Sequence, residues 1–244
     1  MIVGTLILNP TKESIISLAK GKFDFLLLDF QHSAFTWETA DFVIETIYKY
    51  TNKKIWIRVA HNNFSDINRA YDIGADAVVV PLINTIQDLK NCIDAARYKP
   101  IGNRSWGPVR LRENYNSYED YFKNAHAKQL LFPQIESLEG LNNLSEMCTH
   151  NGWDGVMIGP SDLAISMGEV PNFPPKSQLV KDKMEEIITI CKNNNKIPGL
   201  FAGSLDVARE FVSKGAECFT YGSDLEFLDE GTKISFENLY NSMK

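Results

Sequence analysis

Short apolar runs, each of a length that suits one buried strand, alternate along this chain with stretches of helical periodicity. The runs cover residues 2–8, 25–29, 54–58, 77–81, 130–135, 155–158, 197–201 and 218–222. They are apolar nearly throughout rather than at every second position. We therefore expect both faces of each strand to be buried, as in a parallel sheet wrapped by helices.

The number of strand–helix units and the chain length together favour one closed barrel. Single barrels of this class run to about 250 residues, and the chain has 244. An open doubly wound sheet is the alternative, but it would carry a glycine-rich turn after the first strand, and residues 6–14 contain no glycine. We predict one α/β domain over residues 1–244, a (β/α)8 TIM barrel.

Bulk composition excludes several classes of partner. The net charge is -6, with acidic and basic residues interspersed, which argues against a nucleic-acid-binding face. No apolar run approaches the roughly 18 residues of a membrane span, and the first residues lack the basic start of a signal peptide. The four cysteines are far apart, so we expect buried free thiols at Cys92, Cys191 and Cys218 in a cytoplasmic protein.

Polar residues at the ends of the predicted strands form the candidate site, because functional groups of such barrels lie at the carboxyl ends of strands. In chain order they are Asp29, His32, Arg58, Gln134, Glu136 and Asp162, with Leu200 at the end of the seventh strand. Burying the charged members without partners would be costly, so we expect them to compensate one another at one mouth. Separate salt bridges and helix caps remain the alternative, and Asp162 would suit a cap.

Two of these carboxylates suggest a metal site. Glu136 and Asp162 follow neighbouring strands, and two carboxylates with waters and substrate oxygens suit Mg²⁺ or Mn²⁺. Arg58 would supply a fixed positive charge to an oxyanion. His32 would serve acid–base chemistry, and Asp29 could orient it.

A lysine that forms a Schiff base with a carbonyl substrate is the alternative to a metal ion. Such a lysine would have to lie at the carboxyl end of a strand. The lysines next to predicted strands precede them instead, at positions Lys53, Lys54, Lys128, Lys196 and Lys214. Lys12 follows the first strand but lies in a helical start. The sequence therefore favours a metal over an imine.

Several segments, in their order and spacing, resemble the HpcH/HpaI aldolase/citrate lyase family. They are DFLLLDFQH, IWIRV, YDIGADAVVVPLINT, ARYKPIGNRSWGP, PQIES, WDGVMIGPSDLAISMG and KIPGLF. The resemblance covers nearly the whole chain. It implies a class II aldolase that cleaves a 4-hydroxy-2-keto acid or 2-keto-3-deoxy sugar acid to pyruvate and an aldehyde. The implied intermediate is an enolate stabilised by Mg²⁺, Mn²⁺ or Co²⁺.

The resemblance also implies a role for individual residues. Glu136 and Asp162 would bind the metal ion, with Gln134 beside it. Arg58 would contact the oxygens of pyruvate, and His32 would belong to the acid–base apparatus. The remaining implied roles are a carboxylate-binding turn at Ser161 and Asp162, a substrate contact at Leu200, and an aspartate, Asp72, lent to the histidine of a neighbouring subunit. The last helix would be exchanged between subunits in dimers assembled into hexamers.

The sequence departs from the common family pattern at two places. Gln31 stands where many members have glutamate, which removes a charge beside His32. Residues 104–108, within a polar and aromatic loop predicted at 101–126, are expected to shape the pocket for the aldehyde. Two alternatives stay open: a decarboxylase of the oxaloacetate type or a citryl- or malyl-CoA-like lyase using the same enolate site, and a non-catalytic barrel that binds metal and keto acid.

Overall fold

The computed structural model describes residues 1–108 and 116–243 and folds them around a closed barrel of eight parallel strands. The strands are β1 Ile2–Ile7, β2 Phe25–Asp29, β3 Lys54–Arg58, β4 Ala77–Val80, β5 Leu130–Ile135, β6 Gly155–Ile158, β7 Ile197–Phe201 and β8 Cys218–Ser223. Each strand pairs with its neighbours in the chain, and β1 pairs with β8 to close the barrel. The predicted TIM barrel is confirmed, and the predicted strand bounds hold to within one residue.

Helices follow the strands and cover the outside of the barrel. They are α1 Lys12–Lys20, α2 Trp37–Tyr50, α3 Phe64–Asp72, α4 Ile86–Ala96, α5 Tyr118–Lys128, α6 Leu138–Met147, α7 Pro160–Ser166, α8 Gln178–Asn193, α9 Leu205–Ser213 and α10 Asp224–Ser242. Hydroxyl and amide side chains cap most of their first turns; in α4, Thr85 and Asp88 cap each other reciprocally. None of the helices described is long and apolar enough to cross a membrane.

The structure differs from the sequence prediction at two helices. Helix α5 occupies the second half of the stretch predicted as a loop at residues 101–126, and its hydroxyl cap, Ser117, marks the start. Residues 109–115 of that stretch lie outside the described residues. Helix α8 has no counterpart in the prediction, although its buried positions follow helical spacing: Val180, Met184, Ile187, Ile188 and Cys191.

Three cysteines are buried free thiols, as the sequence predicts. Cys92, Cys191 and Cys218 are buried between the barrel and its helices or inside the barrel. Burial raises the pKa of the Cys92 thiol to about 12, and it also raises the pKa of Cys191 and Cys218. Thiols with such pKa values stay protonated and unreactive near neutral pH.

Aromatic rings fill the interior of the barrel below its mouth. The ring of Trp56 stacks on Phe25 with centroids 3.9 Å apart and tilts against Phe132 at 4.7 Å. All three side chains are buried. Gly4 on β1 leaves room for the Phe25 ring, because a Cβ atom at that position would collide with it. The packed rings fill the barrel interior, and the polar strand ends lie above them at the mouth.

We expect Phe132→Ala to lower the free energy of unfolding by about 3–5 kcal/mol, since it opens a cavity among packed rings. Phe64→Ala on α3 is the matched control, because the Phe64 side chain is 42% exposed. Chemical denaturation of both variants measures the difference. Equal losses for the two variants would contradict the packed interior.

Candidate active site

A cavity of about 290 Å³ opens at the carboxyl ends of the strands. Most of the residues that the sequence predicts as a site line this one cavity: Asp29, His32, Arg58, Gln134, Ser161 and Asp162. The fold thus brings together side chains from β2, β3, β5 and α7 that are far apart in the chain. These side chains are therefore neighbours at one mouth rather than scattered over the surface.

A buried ion pair joins the ends of β2 and β3 at the cavity floor. Asp29 and Arg58 are register partners in the sheet. The Nε atom of Arg58 donates to Oδ1 of Asp29 at 2.8 Å, and Nη2 donates to Oδ2 at 2.5 Å. Both residues are buried, at 1% and 7% exposure. This two-point contact fixes the plane of the guanidinium, and the Phe201 ring lies 4.7 Å from its carbon.

Asp29 therefore has a different partner from the one expected. The sequence suggested that it orients the His32 imidazole, but its carboxylate binds Arg58 and the backbone. Its Oδ1 atom also accepts the backbone N–H groups of Gln31 at 3.0 Å and His32 at 3.4 Å. Asp29 thus holds the turn that carries His32, whose exposed side chain lines the cavity.

Glu136 follows β5 and is 2% exposed. One carboxylate oxygen accepts the backbone N–H of Leu82 at 2.8 Å, and the other accepts the side-chain amide of Gln134. Leu82 has a φ of 58°, a left-handed conformation that is strained for a leucine. Strain that aims one N–H group at a buried carboxylate is typical of functional sites.

The environment of Glu136 disfavours its negative charge. Burial raises its pKa most, and the charge of nearby Asp162 raises it further against the hydrogen bonds from Gln134 and Leu82. The Oε1 atom of Gln134 is buried and has no hydrogen-bond partner among the described residues. An unsatisfied amide oxygen beside a buried carboxylate whose charge is disfavoured is a place where a cation would be stabilised.

Asp162 reaches the site from the first turn of α7 rather than from a strand. Gly159 precedes this helix, and no side chain caps its first turn. A Cβ atom at Gly159 would lie 2.5 Å from Oε2 of Glu136, so only glycine lets the carboxylate approach α7 this closely.

The residues present fit a divalent ion that prefers oxygen ligands. The carboxylates of Glu136 and Asp162 and the free oxygen of Gln134 are ligands of the type used by Mg²⁺ and Mn²⁺. No group of three or more His, Cys, Asp or Glu side chains suited to a metal occurs in residues 1–108 and 116–243. The protein would supply few ligands and leave positions for water and substrate, which is common for Mg²⁺.

Leu200 does not line the cavity, in contrast to the expectation from the sequence. Its side chain is buried in the core between barrel and helices, whereas Phe201 lines the cavity. Successive side chains of a strand point to opposite faces. The run of apolar residues in β7 gave no sign of which side chain faces the cavity, and the structure places the Phe201 side chain there.

Asp72 and Arg104 lie in a network away from the mouth of their own barrel. Nη2 of Arg104 donates to Asp72 at 2.9 Å, and Asn68 donates to the same carboxylate at 2.6 Å. The Arg104 guanidinium lies between the rings of Tyr71 and Tyr98, at 4.9 and 4.8 Å. None of residues 104–108 belongs to the described lining of the cavity in their own chain, and Arg104 is anchored against α3.

The far wall of the cavity was missed by the sequence prediction. It is formed by β1, β8, the start of α10 and the loop after α7, and includes Leu6, Leu8, Phe173, Thr220, Ser223 and Glu226. The strand-end rule pointed to the sequence YGSD after the eighth strand. It could not identify Phe173, which comes from a proline-rich loop.

Removing the Glu136 carboxylate tests the cation site. We expect Mg²⁺ or Mn²⁺ at about 100 times its Kd to stabilise the wild-type protein by about 2.7 kcal/mol, a rise in Tm of several degrees. Glu136→Gln should abolish this rise, and Glu139→Gln, an exposed glutamate on α6, should keep it.

The pH dependence follows from the raised pKa of Glu136. Without metal, the stability contributed by the protonated carboxyl is present below the unfolded pKa and is lost as pH rises through the folded pKa. Protons and metal compete for the same carboxylate, so the metal-induced rise in Tm should shrink on acidification. A rise that is equal at all pH values, or that survives in Glu136→Gln, would contradict the site.

Known proteins resemble this chain in sequence or in fold. A 4-hydroxy-2-oxo-heptane-1,7-dioate aldolase of Shigella boydii is 29% identical over 212 residues, which are 86% of this chain and 80% of the relative. An HpcH/HpaI aldolase/citrate lyase family protein of Burkholderia cenocepacia shares the fold, with a TM-score of 0.89 at 22% identity over 98% of this chain and 94% of that one. The citrate synthase SbnG also shares the fold, with a TM-score of 0.86 at 20% identity over 99% and 94%.

The family assignment rests on nearly the full length of the barrel. The sequence model of the HpcH/HpaI aldolase/citrate lyase family matches residues 7–230, a range that contains every cavity residue described above except Leu6. Membership of this family of class II aldolases implies a divalent metal ion. The chain belongs to the HpcH/HpaI aldolase/citrate lyase family.

Proposed function

We propose that the protein is a metal-dependent aldolase, a carbon–carbon lyase that cleaves a 4-hydroxy-2-keto acid or 2-keto-3-deoxy sugar acid to pyruvate and an aldehyde. One observation carries the proposal: a guanidinium fixed by Asp29 and the carboxylate of Asp162 line one cavity, and the buried carboxylate of Glu136 lies close enough for both charges to act on its pKa. Cleavage next to a ketone generates an enolate, which needs positive charge at its oxygen. The aldolase name of the Shigella boydii relative supports the same reaction type.

Glu136 and Asp162 would hold the divalent ion, with the Gln134 oxygen beside it. We propose Mg²⁺ or Mn²⁺, with Co²⁺ as a third ion that accepts the same ligands. The bound ion supplies positive charge that stabilises the enolate.

Arg58 and the start of α7 would bind the keto acid. Asp29 occupies Nε and Nη2 of Arg58, which leaves Nη1 to donate to an oxygen of the substrate. The backbone N–H groups of Ser161 and Asp162 lie in a first turn without a side-chain cap, and such groups suit a carboxylate. The guanidinium is held in advance, so it does not have to reorganise as charge develops.

His32 would move the proton of the reaction. Its side chain lines the cavity and its backbone is held by Asp29. In the cleavage direction, His32 accepts the C4 hydroxyl proton as the aldehyde C=O forms. The C3–C4 bond breaks, its electron pair passes into the enolate, and the proton held by His32 is then returned to C3 to give pyruvate. We propose, from the family resemblance, that Asp72 of a neighbouring subunit orients the imidazole; within its own chain, Asp72 pairs with Arg104 outside the cavity lining.

Replacing Arg58 tests this proposal. Arg58→Lys keeps a positive charge but loses the fork that binds Asp29 at two points. We expect kcat for aldol addition of pyruvate to an aldehyde panel to fall about 10²–10³-fold, the cost of one lost oxyanion donor. Arg209→Lys on the exposed face of α9 is the control and should change little.

The same assay separates the candidate reactions. Aldol product that forms with Mg²⁺ or Mn²⁺ and disappears with EDTA supports the aldolase. Pyruvate released from oxaloacetate without any aldol product would replace the proposal with a decarboxylase. If neither activity is detected, the remaining alternative is a non-catalytic barrel that only binds its ligands. Full activity in Arg58→Lys would contradict the role of the guanidinium.

We also propose that the protein is a homo-oligomer in which α10 is covered by a second copy, as a hexamer by resemblance. None of the residues of α10 is buried in the single chain. Its exposed apolar side chains include Leu225, Leu228, Phe236, Leu239 and Met243 at the end of the helix. An apolar helix face of this kind is typical of an interface.

Two lysine substitutions on α10 test the assembly. The double variant Phe236→Lys and Leu239→Lys should lower the mass measured by light scattering toward that of one chain, because it places charge in an apolar contact. The control, Glu237→Lys with Asn241→Lys, changes polar exposed positions of the same helix. A wild-type protein that is monomeric at micromolar concentration would overturn the assembly.

A further inference from the structure

We propose that Glu226 makes the aldehyde side of the cavity selective for a neutral, hydroxylated aldehyde over an aldehyde that carries a carboxylate. The proposal rests on the aldolase function proposed above and assigns its substrate class. It concerns the wall formed by β1, β8 and α10, which lies across the barrel from β5 and Glu136.

The backbone that carries Glu226 is held in place. The Asp224 carboxylate accepts the backbone N–H groups of Leu8 and Asn9, each at 2.9 Å. The Ser223 hydroxyl accepts the N–H of Glu226 at 3.2 Å. The start of α10 is thus fastened to the end of β1, and the backbone of Glu226 is held at the cavity wall with its side chain exposed.

Two carboxylates of the cavity lining, Asp162 and Glu226, lack a counter-charge among the described residues, and of these Asp162 lies beside Glu136 at the proposed cation site. Asp29 is neutralised by Arg58. Glu226 forms no ion pair within residues 1–108 and 116–243, and Arg58 is the one arginine or lysine of the described lining. A second carboxylate on the substrate would therefore meet an unbalanced negative charge.

The helix start beside Glu226 does not compensate for this charge. Helix N-termini attract anions through their free N–H groups. In α10, the N–H of Leu225 contacts Asp224 at 3.1 Å and the N–H of Glu226 is bound by Ser223. Asp224 and Glu226 also place two acidic side chains in this first turn. The turn is already satisfied by the protein's own oxygen atoms.

A hydroxyl group fits the same wall. The carboxylate of Glu226 accepts a hydroxyl donor, and the hydroxyls of Ser223 and Thr220 line the cavity next to it. Leu8 and Phe173 supply apolar contacts for the carbon chain. The wall thus recognises a short aldehyde that ends in a hydroxymethyl group.

Two aldehydes of matched size test the proposal. Glyceraldehyde and 2-hydroxy-3-oxopropanoate differ only in a hydroxymethyl group against a carboxylate. We compare kcat/KM for their addition to pyruvate with Mn²⁺ in the wild type, Glu226→Gln and the control Glu230→Gln, an exposed glutamate of α10 outside the cavity lining. The ratio of kcat/KM for the two aldehydes is compared between variants, so that the difference in their intrinsic reactivity cancels.

We expect the wild type to prefer glyceraldehyde and Glu226→Gln to lower that preference about five- to tenfold, the size of a like-charge repulsion near a protein surface. Glu230→Gln should leave the ratio unchanged. Raising ionic strength should lower the preference in the wild type and not in Glu226→Gln, because screening acts on the removed charge. Equal Tm values would show that the variants are folded.

Different failures overturn different parts of the account. No EDTA-sensitive product with either aldehyde would overturn both the aldolase and the selectivity. Product with both aldehydes, but a wild-type preference for the carboxylated one or an unchanged ratio in Glu226→Gln, would overturn the selectivity alone.

Discussion

The buried ion pair of Asp29 and Arg58 is the interaction on which the rest of the site depends. It spans register partners on β2 and β3, so the sheet itself sets the direction of the guanidinium. Removing one partner of such a pair leaves an uncompensated buried charge, at a cost of about 3–5 kcal/mol. The same carboxylate holds the turn of Gln31 and His32. One residue thus links strand register, the anion-binding side chain and the acid–base side chain.

The sequence was sufficient to predict the barrel and the positions of the polar strand ends. Uniformly apolar strands such as β2 are buried on both faces, and this property separates a wrapped parallel sheet from other β structures. For the same reason, these strands carry no alternating pattern. The sequence could not show that Phe201 faces the cavity and Leu200 the helices, because that choice depends on the tilt of β7 in the closed barrel.

Pairing between polar groups was the part that the sequence could not supply. From their positions at strand ends, both His32 and Arg58 were possible partners of Asp29. The fold selects Arg58, because it lies opposite Asp29 in the register of β2 and β3. Arg104 binds Asp72 although 32 positions separate them. Such contacts depend on how α3 and the loop after α4 meet in space. Residue type predicts that a buried charge has a partner, and only the tertiary structure identifies which partner.

The charges around the cavity are unevenly distributed: Arg58 and Asp162 line one side, with the buried carboxylate of Glu136 close to them, and Glu226 lines the other. The central claim is that the first side stabilises an enolate. Mass spectrometry of pyruvate incubated in D₂O with the protein and Mg²⁺ measures enolate formation without any aldehyde. The account predicts deuterium in the methyl group of pyruvate, at a rate that EDTA abolishes. Exchange no faster than that of Mg²⁺ and buffer alone would contradict it.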